Sequence, residues 1–172
     1  MIEKAIIFIS DKKYGKCLII QNKKDLFKDI KNIKELQEKA YDYILNGNRN
    51  FTTIIDKIDS KIVQFKRISA KEYLYGTNSK NLSKKDYKHK MRIVPSIDDL
   101  ISFADIKYNS KLAHESSLFG SFNNYQGNII IDNIVLRYIV RIGKTKKDNI
   151  FYDISLEYLG AIKGIDVKVP SA

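Results

Sequence analysis

Asn128–Tyr158 reads NIIIDNIVLRYIVRIGKTKKDNIFYDISLEY, three β-rich runs separated by two polar turns. Asn128–Ile131 meets Ile134–Ile142 across Asp132-Asn133, residue types that tolerate the positive φ of a tight hairpin. A lysine-rich turn, Gly143–Asn149, leads into Ile150–Tyr158. Side chains alternate between the faces of a strand. In the middle run Leu136, Tyr138, Val140 and Ile142 therefore share one face, and Val135, Arg137, Ile139 and Arg141 share the other. In the last run the same rule predicts an apolar face of Ile150, Tyr152, Ile154, Leu156 and Tyr158, with Phe151, Asp153, Ser155 and Glu157 opposite. One side of this meander suits a core. The other carries arginines, carboxylates and a hydroxyl, and function is expected there.

Immediately upstream, Lys107–Gln126 (KYNSKLAHESSLFGSFNNYQ) is the least regular part of the chain and holds His114. Before it, Pro95 and Ser96 introduce IDDLISFA, a helix with Asp98 and Asp99 in its positive first turn. Thr77–Arg92 is polar and strongly basic and reads as an exposed loop bearing Lys80, Lys84, Lys85, Lys88, Lys90 and Arg92, with His89 among them. Ser69-Ala-Lys-Glu72 matches a capping box, in which serine and glutamate satisfy each other's orphan N–H groups; its short helix would end at Gly76. Phe51–Ile58 and Lys61–Arg67 form a hairpin around Asp59-Ser60. Apolar residues from Leu26 to Ile44 recur at helical spacing, predicting a helix over Asp25–Asn46 stopped by Gly47. Lys4–Ser10 and Lys16–Gln21 form a first hairpin with Gly15 in its turn, and Ile165–Val169 is a β-like run in the tail. No internal repeat or linker is visible. The 172 residues are expected to form one domain, with 1–24 as a hairpin appendage, 25–160 as the core and 161–172 as a tail.

Lys and Arg number 31 against 20 Asp and Glu, a net charge of +11. Such a surplus favours an anionic partner, either nucleic acid or a membrane surface; the alternative is charge spread over a solvated surface. With 44% apolar residues the chain can bury a core. Cys17 is the only cysteine, so no internal disulfide forms, a reducing compartment is expected and Cys17 reads as a small buried hydrophobe. No apolar run approaches the ~20 residues of a membrane span, and the amino terminus lacks a signal-peptide pattern. A cytoplasmic location without a membrane partner is expected; a membrane-surface role is disfavoured because no helix combines a basic face with a large apolar one.

Phosphate loops, dinucleotide fingerprints, Cys/His metal spacings and nucleophile elbows are absent, and no cofactor is expected. What remains is an acid–base inventory of two histidines, several carboxylates and many cations. Such groups can cleave RNA without a metal: a base takes the 2′-OH proton, an acid protonates the leaving oxygen and cations stabilise the phosphorane. His114 and Glu72 are the candidate acid and base, set against a task-free loop histidine and a helix cap. Arg137 and Arg141, about 13 Å apart at ~3.3 Å per residue, suit two phosphates; the plainer reading is cross-strand pairing with Asp153 or Glu157.

The order of parts, from Ile68-Ser-Ala-Lys-Glu72 through the basic segment, SIDDLISFA, VLRYIVRIGK and FYDISLE, resembles nuclease-like domains of the barnase–EndoU–colicin–RelE superfamily found in large polyvalent proteins of phages and conjugative elements. The resemblance covers about Leu36–Tyr158. It implies an α+β fold, an antiparallel sheet of four or five strands with helices on one face, and RNA engaged on the open face. Carried over by residue, it implies Glu72, His114, Arg137 and Tyr152 as catalytic candidates and Lys71 beside them; Lys84, Lys85, Lys88, Lys90, Arg92 and Arg141 are the candidate nucleic-acid contacts. The chain departs from the pattern in its Asp132-Asn133 turn, where Asp-Gly is usual, and in its extra amino-terminal hairpin. The expected partner is RNA, with an immunity protein or a host ribonucleoprotein as further partners. The alternative is a non-catalytic binder that inhibits a host nucleic-acid-handling or defence complex.

Overall fold

The computed structural model describes residues 6–47, 50–54, 60–111 and 119–163. The chain opens with the expected hairpin, β1 (Phe8–Asp11) and β2 (Gly15–Ile19), turning at Gly15 with φ +68°, a left-handed value that costs glycine nothing. Helix α1 (Ile33–Asp42) is shorter than its apolar periodicity predicts. The Asn32 side chain accepts from the N–H groups of Lys34 and Glu35 and fixes the start there. A π-type turn, Tyr43–Gly47, follows. Strands β3 (Asn50–Ile54) and β4 (Ser60–Gln64) pair antiparallel, and the turn between them lies outside the described residues.

Helix α2 (Arg67–Tyr75) ends before Gly76 as expected, but it begins ahead of Ser69. Ser69 is its third residue: the hydroxyl accepts from the Lys66 N–H and donates to the Phe151 carbonyl, tying the helix to the last strand. The Glu72 side chain therefore plays no part in the N-terminal cap. The expected basic loop is also helical, as α3 (Thr77–Lys80) and α4 (Lys84–Arg92), the second capped by the Ser83 hydroxyl accepting from Asp86 N–H. Tyr87 and Met91, four apart and both buried, are the apolar stripe that the surrounding lysines conceal. Helix α5 (Ile97–Phe103) follows a 3₁₀ turn through Pro95, with Asp98 and Asp99 in its first turn.

The stretch read as irregular supplies two strands, β5 (Ile106–Ser110) and most of β6 (Ser121–Ile131), ahead of β7 (Ile134–Lys144) and β8 (Asn149–Ala161). The β6–β7 turn has φ 50° at Asp132 and 63° at Asn133, as the residue types predict. The eight strands of the described residues form one sheet, in the order β1-β2-β6-β7-β8-β4-β3 with β5 also on β6. It is larger than the four or five strands expected, and it is mixed, because β2 runs parallel to β6 and β4 runs parallel to β8. β6 is long enough to take β5 along its first half and β2 along its second.

The core side of β7 is the one predicted: Leu136, Tyr138, Val140 and Ile142 are all fully buried. In β8 the alternation breaks. Arg141 pairs with Asp153 but Ile142 pairs with Phe151, so Tyr152 is the extra residue of a β-bulge. Beyond it Phe151 packs in the core against Tyr73 and Phe65, while Ile150 and Tyr152 join a cluster on the far side. The face predicted for these three residues is thus reversed. The main core runs from Leu18 of β2 through the helices to Ile154 of β8. Tyr138 crosses it to donate to the Leu100 carbonyl at 2.7 Å.

Candidate functional site

Residues directly opposite on neighbouring strands share a face. On the side away from the main core this puts three rows across β6, β7 and β8: Asn128–Arg137–Glu157, Gln126–Ile139–Ser155 and Asn124–Arg141–Asp153. Apolar clusters close both ends. Cys17, Ile130 and Val135 pack with Tyr14 and Leu159 at one; Phe119, Phe122 and Ile150 pack with Ile68 and Tyr152 at the other. Phe119 lies so close over Gly143 that a Cβ there would sit 2.5 Å from its ring. Between the clusters lies a polar trough, on the side where the sequence places arginines, carboxylates and a hydroxyl.

The chemistry concentrates at the Tyr152 end. Tyr152 is half-buried, and its hydroxyl is pushed up to about 12, first by burial and then by the charge and hydrogen bonding of Glu72, with Arg141 pulling the other way. It stays protonated at neutral pH and faces a carboxylate. Gly76 makes room for that carboxylate, since a Cβ there would fall 2.5 Å from Glu72 Oε1. Glu72, Tyr152 and Arg141 are therefore brought together from α2, the bulge of β8 and β7. Lys71 is exposed on α2 next to Glu72.

Under this group lies a buried ion pair that alternation and charge counting do not predict. Lys90 Nζ is 2.7 Å from Asp153 Oδ1, both residues fully buried. The ammonium also donates to Ser79 Oγ at 2.6 Å and sits 4.7 Å above the Tyr73 ring. Asn78 Nδ2 donates to the other carboxylate oxygen at 2.9 Å and reaches Ser155 Oγ at 3.2 Å. Burial pulls the Lys90 pKa down against the opposing pull of Asp153. Lys90 thus anchors α4 to β8 and offers nothing to an outside phosphate. Its expected place among the exposed cations is corrected by this burial.

The remaining candidates separate. Arg137 lies on the trough, paired with Glu157 at 3.2 Å on an exposed rim. Lys85, Lys88 and Arg92 instead line a cleft on the helix side, with Lys28 and Lys31. Arg92 is held there by Asp25 at 2.8 Å and Asp132 at 2.6 Å, which raise its pKa further. Lys84 is exposed at the start of α4. His89 is buried with Asp86 and Asp132 at 3.9 and 3.8 Å, and burial pulls its pKa down. His114 lies outside the described residues. Cys17 is buried and its thiol is pushed up to about 11 by burial, so it is a packing residue as expected.

Gln126 and Asn128 are trough residues not expected from the sequence, and Asn124 is buried on the same face of β6, its amide donating to the Tyr108 carbonyl and Ser110 Oγ. Their signal was available: polar residues alternating with Tyr125, Gly127 and Ile129 are the period of a half-buried strand. Among the described residues no helix is long and apolar enough to cross a membrane, and no group of three or more His, Cys, Asp and Glu is placed to hold a metal ion. Comparison with protein-family models, with curated proteins and with solved structures finds no match to this chain.

Proposed function

We propose that this protein is a ribonuclease-like domain that engages single-stranded RNA along the trough and cleaves it beside Glu72. The observation that carries this reading is the convergence of Glu72, Tyr152 and Arg141 on an open polar face, over a rigid buried base formed by Lys90 and Asp153. Glu72 takes the proton from a 2′-OH. The 2′ oxygen attacks phosphorus, the bond to the 5′ oxygen breaks, and solvent on the open face supplies the leaving group's proton. Arg141 offsets the charge that builds on the phosphorane. Tyr152, held protonated, orients the Glu72 carboxylate. Arg137 holds a neighbouring phosphate further along β7, exchanging its exposed and weak pairing with Glu157 for the RNA backbone. An origin in a phage or mobile element fits this activity, as the resemblance implies.

End-labelled total RNA incubated with purified protein in EDTA tests this. Products ending in 2′,3′-cyclic phosphate are expected, because the 2′ oxygen is the nucleophile. Products with 3′-hydroxyl ends, or cleavage that requires an added metal, would contradict the mechanism. Tight capture of a ribonucleoprotein with no cleavage of any RNA would transfer the assignment to the non-catalytic inhibitor.

A further inference from the structure

The helix side of the molecule carries a second concavity, a cleft of about 330 Å³ between α4, the start of α1 and the segment preceding it. That volume lies within the range of small-ligand sites. Four lysines border it: Lys28, Lys31, Lys85 and Lys88. Among the described residues none of the four makes an ion pair; Asp132, which lines the cleft, and Asp25 are both engaged by Arg92, with Lys28 adding to the field that lowers the Asp132 pKa. Among the described residues their charge is therefore left without a carboxylate in ion-pair contact. The cleft also has an apolar part, Phe27, Ile30 and Leu36, of which Phe27 and Leu36 are buried in the main core. Cations alone would suit any anion. Cations around a small apolar floor with an aromatic ring suit a ligand that is anionic at one end and flat and apolar at the other.

A wall of the cleft is already rigid. Arg92 bridges Asp25 and Asp132, holding the β6–β7 turn against the segment before α1, and His89 packs behind it with its buried Nδ1 facing Asp86 at 3.9 Å and making no hydrogen bond. The same helix sends Lys90 to the trough side and Lys85 and Lys88 to the cleft. We propose that this cleft binds a nucleoside phosphate, free or as one unit of a strand, with the phosphate among the four lysines and the base against the half-buried Ile30 and the edge of Phe27 that reaches the cleft. The site is separate from the trough and does not depend on whether the trough cleaves.

Binding is measured by calorimetry on the full chain carrying Glu72→Gln, so that turnover plays no part, with three probes: uridine monophosphate, a short oligouridylate and inorganic phosphate. The nucleotide is expected to bind at least tenfold more tightly than inorganic phosphate. Lys28→Glu/Lys31→Glu and Lys85→Glu/Lys88→Glu should each weaken it at least tenfold. Lys12→Glu/Lys13→Glu, an equal charge change on the exposed β1–β2 turn, should leave it within twofold. An oligouridylate that binds like the monophosphate identifies a free nucleotide as the ligand; one that binds tenfold or more tightly, and loses that gain in the two lysine-pair variants but not in Arg137→Ala/Arg141→Ala, identifies a strand. Equal weakening by the turn variant, or phosphate binding as well as the nucleotide, would overturn the proposal.

Discussion

Lys90 shows how one residue can invert a charge-based reading. It sits in a run of lysines, yet its ammonium is fully buried, satisfied by Asp153, Ser79 and the face of Tyr73. Removing one partner of such a pair leaves an uncompensated buried charge, which costs about 3–5 kcal/mol. Lys90→Met should therefore destabilise by that order in urea unfolding, whereas Lys84→Met, on an exposed side chain, should change stability by less than about 0.5 kcal/mol. His89 gives the pH dependence its sign. Burial holds its pKa below the ordinary value of 6.5, so the unfolded chain binds this proton more readily than the folded one. Stability then rises with pH from the depressed folded value up to about 6.5 and is lost as the pH falls through that window. Asp132, whose pKa Arg92 holds below 3.8, titrates under it. Melting temperatures measured from pH 5 to 7 should climb in the wild type, and His89→Gln should flatten the climb. An unchanged slope would assign the titration to another group.

At the level of elements, the bulge in β8 decides which side chains reach the site. Without it Phe151 would face the trough and Tyr152 the core; with it Phe151 packs against Tyr73 and Phe65, and Tyr152 meets Glu72. Phe151→Ala should cost about 3–5 kcal/mol, as large-to-small changes in a packed core do. A cost near zero would restore the simple alternation. The β6–β7 hairpin and the inward face of β7 were legible because strong period-two apolarity and an Asp-Asn turn agree with each other. The bulge was not, since inserting one residue leaves no mark on composition. Helices α3 and α4 were hidden for a different reason: only Tyr87 and Met91 in α4 are apolar and buried, and lysines cover much of the rest. The candidate site was half legible. Arg137, Arg141 and Glu72 stand out by type, while Asn78 and the role of Asp153 depend on how α3 and α4 meet β8.

Over the described residues, cations lie on both sides of the sheet, within a chain of net charge +11. Arg137 and Arg141 lie on the trough, with Lys71 exposed on α2 beside Glu72, whereas the helix-side cleft gathers four lysines. RNA affinity should fall with salt, because each phosphate neutralised by the protein releases counterions and adds about 0.7 to the slope of log K against log salt on single strands. Arg137→Ala/Arg141→Ala should thus flatten that slope by about 1.4 and leave the melting temperature nearly unchanged. The most direct measurement is single-turnover cleavage of labelled RNA in EDTA by wild type and Glu72→Gln, with affinity measured on the same samples. Loss of a general base lowers rates by roughly 10²–10⁴. The account predicts that loss in Glu72→Gln, with affinity within a few fold of wild type; equal rates in the two proteins, or no cleavage by either, would contradict it.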